Sequence, residues 1–278
     1  MNPIRSILVH LDTSAPCPAR LRLAHELAQR LDASATALFA ATAAEALMPF
    51  GDTPEYSMAA VRAEFEADRR LRARAVFDAA RTQGLDRLQW AELPSAAGVP
   101  AVVARALYAD LLVLGQRQPR GDQMPDVSAD FVESVLVASG RPALVVPHIG
   151  LPETVGRTVL VAWKETREAA RAVSAALPLL QAAEAVHVLI GAEDEAGARA
   201  ASESIEAWLD HHGVKPQLHR FDVAGASAGE LLLSEAATRS ADLLVMGCYG
   251  HARAREWMLG GASRTVLQSM TLPVLMTH

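Results

Sequence analysis

The chain has 278 residues, of which 51% are hydrophobic and 21% are charged, and its formal net charge at pH 7 is −6. This composition excludes a disordered chain and fits a globular protein of one large domain or two of ordinary size. The negative balance excludes a general electrostatic attraction to nucleic acid or to an anionic membrane. Two cysteines, Cys17 and Cys248, make no disulfide framework, and we expect a cytoplasmic protein without a signal peptide or a membrane-spanning segment.

The first half of the chain alternates apolar runs with helical patterns, which predicts βα units and a parallel sheet. Strands are predicted at Ile4–Leu11, Ala33–Ala40, Leu88–Leu93, Asp110–Gly115 and Ala143–Val146. Helices are predicted at Pro18–Leu31, Ser57–Thr82, Val99–Ala109 and Val127–Ser139. Residues 41–56 contain two prolines and a glycine and are predicted to form a long loop.

The second half follows the same order of elements. Strands are predicted at Thr158–Trp163, Ala185–Ile190, Pro216–Val223 and Asp242–Gly247, with a last strand at Pro273–Thr277. Helices are predicted at Arg167–Leu180, Asp194–His212, Ala228–Ser240 and Ala262–Ser269. The recurrence of one order of elements indicates that the two halves share one architecture.

Three sequence matches in the same order support an internal duplication. Residues 7–10 correspond to 159–162, residues 109–115 to 241–247, and residues 142–146 to 273–277. The joint falls in 147–157, which is rich in proline and glycine as linkers are. We therefore predict two domains, 1–149 and 155–278, each an α/β domain with a doubly wound, five-stranded parallel sheet. Its binding crevice is expected at the carboxyl ends of strands one and four.

Glycines cluster where the fourth strand of the second half ends. Gly247 and Gly250 follow the apolar run, and Gly260 and Gly261 precede a helical pattern with Ser263 and Thr265 in its first turn. A glycine-lined turn before a helix N-terminus offers free N–H groups and a positive dipole end to an anion. Two interpretations stay open from these glycines alone, a phosphate site or two structural turns.

The spacing of Gly247, Gly250 and Gly260 resembles the nucleotide-binding signature of the universal stress protein family. The family pattern continues with Ser or Thr after the last glycine, whereas this chain has Gly261 there, and its hydroxyls follow at Ser263 and Thr265. The whole chain resembles a tandem universal stress protein. The resemblance implies Rossmann-like domains of the adenine nucleotide alpha hydrolase type, with ATP or a related adenine nucleotide as ligand, and Mg only where nucleotide is bound.

The resemblance also assigns roles to residues outside the glycines. Asp12 falls on the family's acidic residue at the end of strand one, where it would accept a hydrogen bond from ribose, whereas Lys164 stands at that place in the second half. Ile190 and Met246 would flank an adenine. Gly115 in the first half is followed by no matching glycines, so nucleotide is expected in the second half.

His251 borders the same turn and is a candidate ligand contact as well as a candidate surface residue. The family often pairs domains through the last strand, which would bring residues 143–146 close to 274–277. A homodimer is also expected to be possible, and the sequence identifies no protein partner.

Other functions have weaker support in the sequence. His211, His212 and His219 lack the acidic or cysteine residues that would complete a zinc site, so no metal centre is predicted. Walker, dinucleotide-binding and nucleophile-elbow motifs are absent, and nothing argues strongly for catalysis. At most slow ATP hydrolysis is expected, and a weak ATPase or a nucleotide-dependent transferase is the enzymatic alternative. The alternative to nucleotide binding is a nucleotide-free scaffold that binds a protein or a small molecule.

Overall fold

A computed structural model describes residues 4–40, 55–94, 98–118, 127–191, 195–220, 227–249 and 261–278. The chain divides into two compact units, Met1–Arg141 and Pro142–His278. The strand at Ala143–Val146, which the repeat assigns to the first domain, therefore lies in the second structural unit. The domain limits 1–149 and 155–278 stay predictions about the sequence repeat.

The described part of the first unit contains a parallel sheet with the strand order β3-β2-β1-β4. The strands are β1 (Ser6–Leu11), β2 (Ser34–Phe39), β3 (Leu88–Glu92) and β4 (Leu111–Gly115). The helices are α1 (Cys17–Arg30), α2 (Glu55–Thr82), α3 (Gly98–Ala106) and α4 (Phe131–Ser139).

The second unit contains a sheet with the order β5-β10-β9-β6-β7-β8. Its strands are β5 (Ala143–Val146), β6 (Thr158–Trp163), β7 (Ala185–Ile190), β8 (Pro216–Arg220), β9 (Leu243–Gly247) and β10 (Val274–Thr277). Its helices are α5 (Arg167–Ala182), α6 (Glu195–His211), α7 (Ala228–Thr238) and α8 (Gly261–Ser269). Strand β5 pairs antiparallel with β10, with Val145 beside Val274, and the other pairings are parallel. The predicted α/β fold with a mainly parallel sheet is confirmed, as is the proximity of residues 143–146 to 274–277.

The fourth strand of each repeat is buried in the core of its unit. The four residues before the terminal glycine are buried in both β4 and β9. A strand between helical layers must be apolar on both faces, which explains the unbroken runs Leu111–Leu114 and Leu243–Met246. Each such side chain contributes roughly 1.5–3 kcal/mol by leaving water.

In each repeat, an aspartate just before the fourth strand holds the start of that repeat's first strand by hydrogen bonds. The Oδ2 atom of Asp110 accepts hydrogen bonds from the backbone N–H groups of Arg5 at 2.9 Å and Ser6 at 3.0 Å. The carboxylate of Asp242 likewise accepts from the N–H groups of Arg157 and Thr158. The repeated Ala-Asp-Leu-Leu-Val sequence therefore encodes a structural clamp.

Several predicted element limits were wrong by a few residues. Helix α3 ends at Ala106, not Ala109, because the chain turns so that Asp110 can reach the start of β1. Helix α4 begins at Phe131, after a turn in which the Phe131 N–H donates to the carbonyl of Ser128. Within the described residues, no helix has the length and apolarity needed to cross a membrane.

Candidate functional site

The candidate site of the second unit lies where β6 and β9 run side by side. After β6 the chain passes through α5 to β7, which pairs with one side of β6, while β9 pairs with the other side. The strand order therefore reverses between β6 and β9. Loops part at such a switch point and leave a crevice at the carboxyl ends of the strands.

The sheet register fixes the directions of the two residues expected to flank an adenine. Ile190 pairs with Trp163, and Met246 pairs with Ala162. Since successive side chains of a strand alternate between faces, Ile190 and Met246 leave the sheet on opposite faces. Both are buried. One ring can therefore contact both only by lying over the edge of the sheet, and their role in binding stays a prediction.

Gly247 packs against the first turn of α5. A Cβ atom added at Gly247 would lie 2.5 Å from the backbone nitrogen of Ala169 and 2.7 Å from the carbonyl carbon of Glu168. The N-terminus of α5 is itself capped, because the Thr166 side chain accepts a hydrogen bond from the Ala169 N–H at 3.3 Å. Close helix packing alone thus explains this glycine, and a phosphate contact at Gly247 stays a prediction.

A buried carboxylate lies beside the same turn. The side chain of Glu168 is 3% exposed, and its Oε1 accepts from Nε of Arg167 at 2.5 Å. Burial by itself would raise the pKa of Glu168, but hydrogen bonds from Arg167 and from its own backbone N–H outweigh burial and lower the pKa. A negative charge at this point stabilises the N-terminus of α5 and opposes a phosphate placed directly against Gly247.

The backbone leaving β9 takes an uncommon conformation. Tyr249 is nearly buried and has a φ of 58°, in the left-handed region that bulky residues rarely adopt. The preceding Cys248 donates its N–H to the carbonyl of Thr277 at 2.9 Å and is buried. Strained backbone of this kind is concentrated at ligand sites and switch regions.

The N-terminal turn of α8 carries the remaining described candidates. A Cβ atom added at Gly261 would meet no atom of the described residues within 4 Å, so packing against those residues does not require a glycine there. Ser263 is buried. Thr265 packs against α7, because a Cβ atom on Gly229 would lie 2.6 Å from its Cβ atom. Gly250, His251 and Gly260 lie outside the described residues, and their roles stay predictions.

Lys164, at the place of the family's acidic residue, directly follows β6 and is exposed. Its carbonyl accepts the N–H of Thr166 at 2.7 Å, which turns the chain into α5. The ammonium group therefore lies at the carboxyl edge of the sheet, where it can reach solvent or a ligand phosphate.

In the first unit, the side chain of Arg20 occupies the space at the carboxyl ends of β1 and β4. The guanidinium of Arg20 is 2% exposed, and its Nη2 lies 2.8 Å from Oδ2 of Asp12. Its Nε donates to the carbonyl of His10 at 2.8 Å. A Cβ atom at Gly115 would collide with Arg20, so the glycine that ends β4 makes room for the guanidinium.

Asp12 is already saturated by partners within its own unit. Besides Arg20, its Oδ1 accepts from the Ser14 N–H at 3.0 Å and from the Ser14 hydroxyl at 2.5 Å. Burial alone would raise the pKa of Asp12, but the charges of Arg20 and His10 and these hydrogen bonds prevail and lower it to about 2. The geometry supports a structural counter-ion here, and the ribose contact stays a prediction.

The remaining polar candidates have ordinary packing roles. Burial raises the pKa of both Cys17 and Cys248 to about 12, so neither thiol is a nucleophile at neutral pH. His212 packs against Trp208 with ring centroids 4.1 Å apart, and His219 lies 3.1 Å from a ring nitrogen of His187. Within the described residues, no group of three or more candidate ligands could hold a metal ion.

Comparison with known proteins agrees with the class of fold that the sheets define. The crystal structure of a universal stress protein from Archaeoglobus fulgidus DSM 4304 superposes with a TM-score of 0.68 at 18% identity, covering 98% of this chain and 97% of that one. A functionally unknown protein from Pseudomonas aeruginosa PAO1 gives 0.62 at 14% identity, covering 99% and 92%. At such identities the likeness shows a shared fold over nearly the full chain.

The comparison with protein-family models concerns the second repeat. Residues 156–278 match the model of the universal stress protein family. No curated protein matches the chain. The matched segment includes β6, β9 and α8, which are the elements around the glycine-rich turn.

Proposed function

We propose that the chain is a tandem universal stress protein of the cytoplasm whose second repeat binds ATP or a related adenine nucleotide as a regulatory ligand. The observation that carries this proposal is the family match at 156–278, since it coincides with the repeat that contains the glycine motif. The left-handed Tyr249 at the end of β9 supports it, because such strain accompanies ligand sites.

In this proposal the phosphates lie at the N-terminus of α8 and not against Gly247. The first turn of α8 offers backbone N–H groups, and no described residue lies within 4 Å of a Cβ atom placed at Gly261. Gly250 and Gly260 would let the chain approach the phosphates closely, and Mg would accompany the bound triphosphate. The Glu168 carboxylate, buried next to Gly247, directs the anion away from α5.

In this proposal the first repeat has a structural role and binds no nucleotide. Arg20 fills the space beside Gly115 and neutralises Asp12. A nucleotide entering there would have to displace a buried ion pair, and a charge left unpaired by that displacement costs several kcal/mol. We therefore expect one nucleotide per chain.

Calorimetric titration with Mg-ATP tests the proposal. We expect one site in the wild type and at least about tenfold weaker binding by Gly250→Val, because a branched side chain would disturb the turn. Gly121→Val is the matched control, since Gly121 lies in the first repeat outside the motif register. Equal affinity of wild type and Gly250→Val would contradict the proposal.

A gain-of-function variant tests the phosphate position independently. Gly261→Ser restores the hydroxyl that the family pattern has after its last glycine, and the described residues leave room for a Cβ atom there. We expect affinity for ATP to rise several-fold, in the range of one added hydrogen bond of about 1 kcal/mol. Unchanged affinity in this variant would place the phosphates elsewhere.

A second candidate is a scaffold that binds no nucleotide. The buried Glu168 charge beside Gly247 favours it, because a carboxylate repels phosphate. Under this alternative the purified protein releases no nucleotide on denaturation, and Mg-ATP leaves its melting temperature unchanged. Assembly into a homodimer stays a prediction for either candidate.

A further inference from the structure

A pocket of about 260 Å³ lies between α5 and α6 near the carboxyl end of β6. Its deepest lining residues are Val173 and Ile205, which are buried. Two indoles, Trp163 and Trp208, form aromatic walls and are half-buried. The exposed rim includes the hydroxyls of Ser174 and Ser204.

One wall of this pocket is held in place by neighbouring contacts. The ring of Trp208 packs against the His212 ring at a tilt of 33°, with 4.1 Å between the centroids. His212 in turn directs Nδ1 to the carbonyl of Trp208 at 2.8 Å, and its own carbonyl accepts from the Gln181 amide at 2.8 Å. A wall fixed in this way loses little freedom when a ligand binds, which favours affinity.

The other wall has an unused hydrogen-bond donor. The indole Nε1 of Trp163 is buried and has no acceptor within the described part of the chain. A buried donor left without an acceptor costs roughly 1–3 kcal/mol. Because the N–H group is covered in this structure, the indole must turn before an oxygen of a bound molecule can accept its hydrogen bond, and that hydrogen bond would remove the cost.

We propose that this pocket binds a small, uncharged, flat aromatic molecule of one or two rings that has at least one oxygen acceptor. A dry cavity of about 150 Å³ holds a benzene ring, so 260 Å³ has room for two fused rings. Indole faces stabilise flat rings by stacking. None of the described lining residues is charged, which disfavours a carboxylate or phosphate ligand.

The pocket shares no described residue with β9 or α8, but it includes Trp163, the strand partner of Ile190, which is expected to flank the adenine. The pocket lies between α5 and α6, whereas the phosphate turn lies between β9 and α8. The inference therefore does not depend on nucleotide binding, and its experiment can fail or succeed on its own.

The test is a titration of the full chain with 2-naphthol, followed by the indole N–H signals in two-dimensional ¹H–¹⁵N NMR. Single Trp→Phe variants assign the signals. We expect those of Trp163 and Trp208 to move with one common Kd, while that of Trp90, in the first unit, stays in place. Cyclohexanol, which has the hydroxyl but no aromatic face, should bind at least about tenfold more weakly.

Two Ala→Phe variants provide the matched comparison. Ala170→Phe fills the pocket from its exposed rim and should weaken 2-naphthol binding at least about tenfold. Ala207→Phe makes the same change at an exposed position of α6 outside the lining and should bind like the wild type. Unmoved Trp163 and Trp208 signals, or equal binding by Ala170→Phe, would overturn the proposal. Displacement of 2-naphthol by AMP would also overturn it, because the pocket would then belong to a nucleotide site.

Discussion

Replacing Asp12 by Asn should destabilise the first unit strongly without affecting ATP binding. The substitution keeps the shape of the side chain but removes the charge that faces the buried Arg20 guanidinium at 2.8 Å. Loss of one partner of a buried ion pair costs about 3–5 kcal/mol. For a unit of this size that corresponds to a melting temperature lowered by roughly 6–20 °C.

The dependence of stability on pH gives a second measure of the same interaction. The pKa of Asp12 falls from 3.8 to about 2 in the folded protein, so the unfolded chain binds the proton more tightly. The stabilisation is fully present above the unfolded pKa and is lost as the pH falls through the folded one. The shift corresponds to about 2 kcal/mol, which Asp12→Asn should remove from the pH profile between about 5 and 2.

Scanning calorimetry from pH 2 to pH 7 measures both effects, and Asp32→Asn is the control. Asp32 pairs with Arg5 and Arg87 on the surface, where its side chain is 79% exposed, so Asp32→Asn should melt close to the wild type. Equal melting of Asp12→Asn and wild type would refute a structural ion pair. Normal melting combined with lost ATP binding would identify Asp12 as a ribose ligand instead.

Three further outcomes follow from the second unit and the thiols. Gly247→Ala forces a methyl group against the backbone nitrogen of Ala169 and should lower the free energy of unfolding by about 1–3 kcal/mol; urea denaturation measures this, and an unchanged midpoint would mean that α5 shifts freely. Cys17 and Cys248 should stay unmodified by a thiol reagent at pH 7, because burial raises their pKa to about 12, and rapid labelling of the folded protein would contradict that. Thr166→Ala removes the cap of α5 and should cost about 1 kcal/mol in the same denaturation assay, whereas no loss would show that the 3.3 Å contact is not a stabilising cap.

The parallel strands could be predicted because their signal is local. Residues 111–114 and 243–246 are uninterrupted apolar runs that end in glycine, and their short length and flanking glycine favour a strand covered on both faces over a buried helix. Because the chain is duplicated, each of these patterns occurs twice, and the second copy supports the assignment of the first. The end of α3 was missed because Leu107 and Tyr108 suit a helix, whereas the clamp by Asp110 depends on partners more than a hundred residues away.

The candidate site was only partly predictable for the same reason. The sequence identifies Asp12 as an acidic residue after a strand, but only the fold shows that Arg20 lies against it and fills the space beside Gly115. Nothing in the sequence pairs Trp163 with Trp208, because the two line one pocket only in the folded second unit, Trp163 from β6 and Trp208 from α6.

Hydrogen–deuterium exchange with and without Mg-ATP tests the central claim most directly. The account predicts added protection in peptides that cover 243–249 and 261–269, which include β9, its strained turn and the first turn of α8. Peptides that cover 8–20, with the Asp12–Arg20 ion pair, should exchange equally in both conditions. Protection at 8–20 without a change at 243–269 would place the nucleotide in the first repeat and contradict the account.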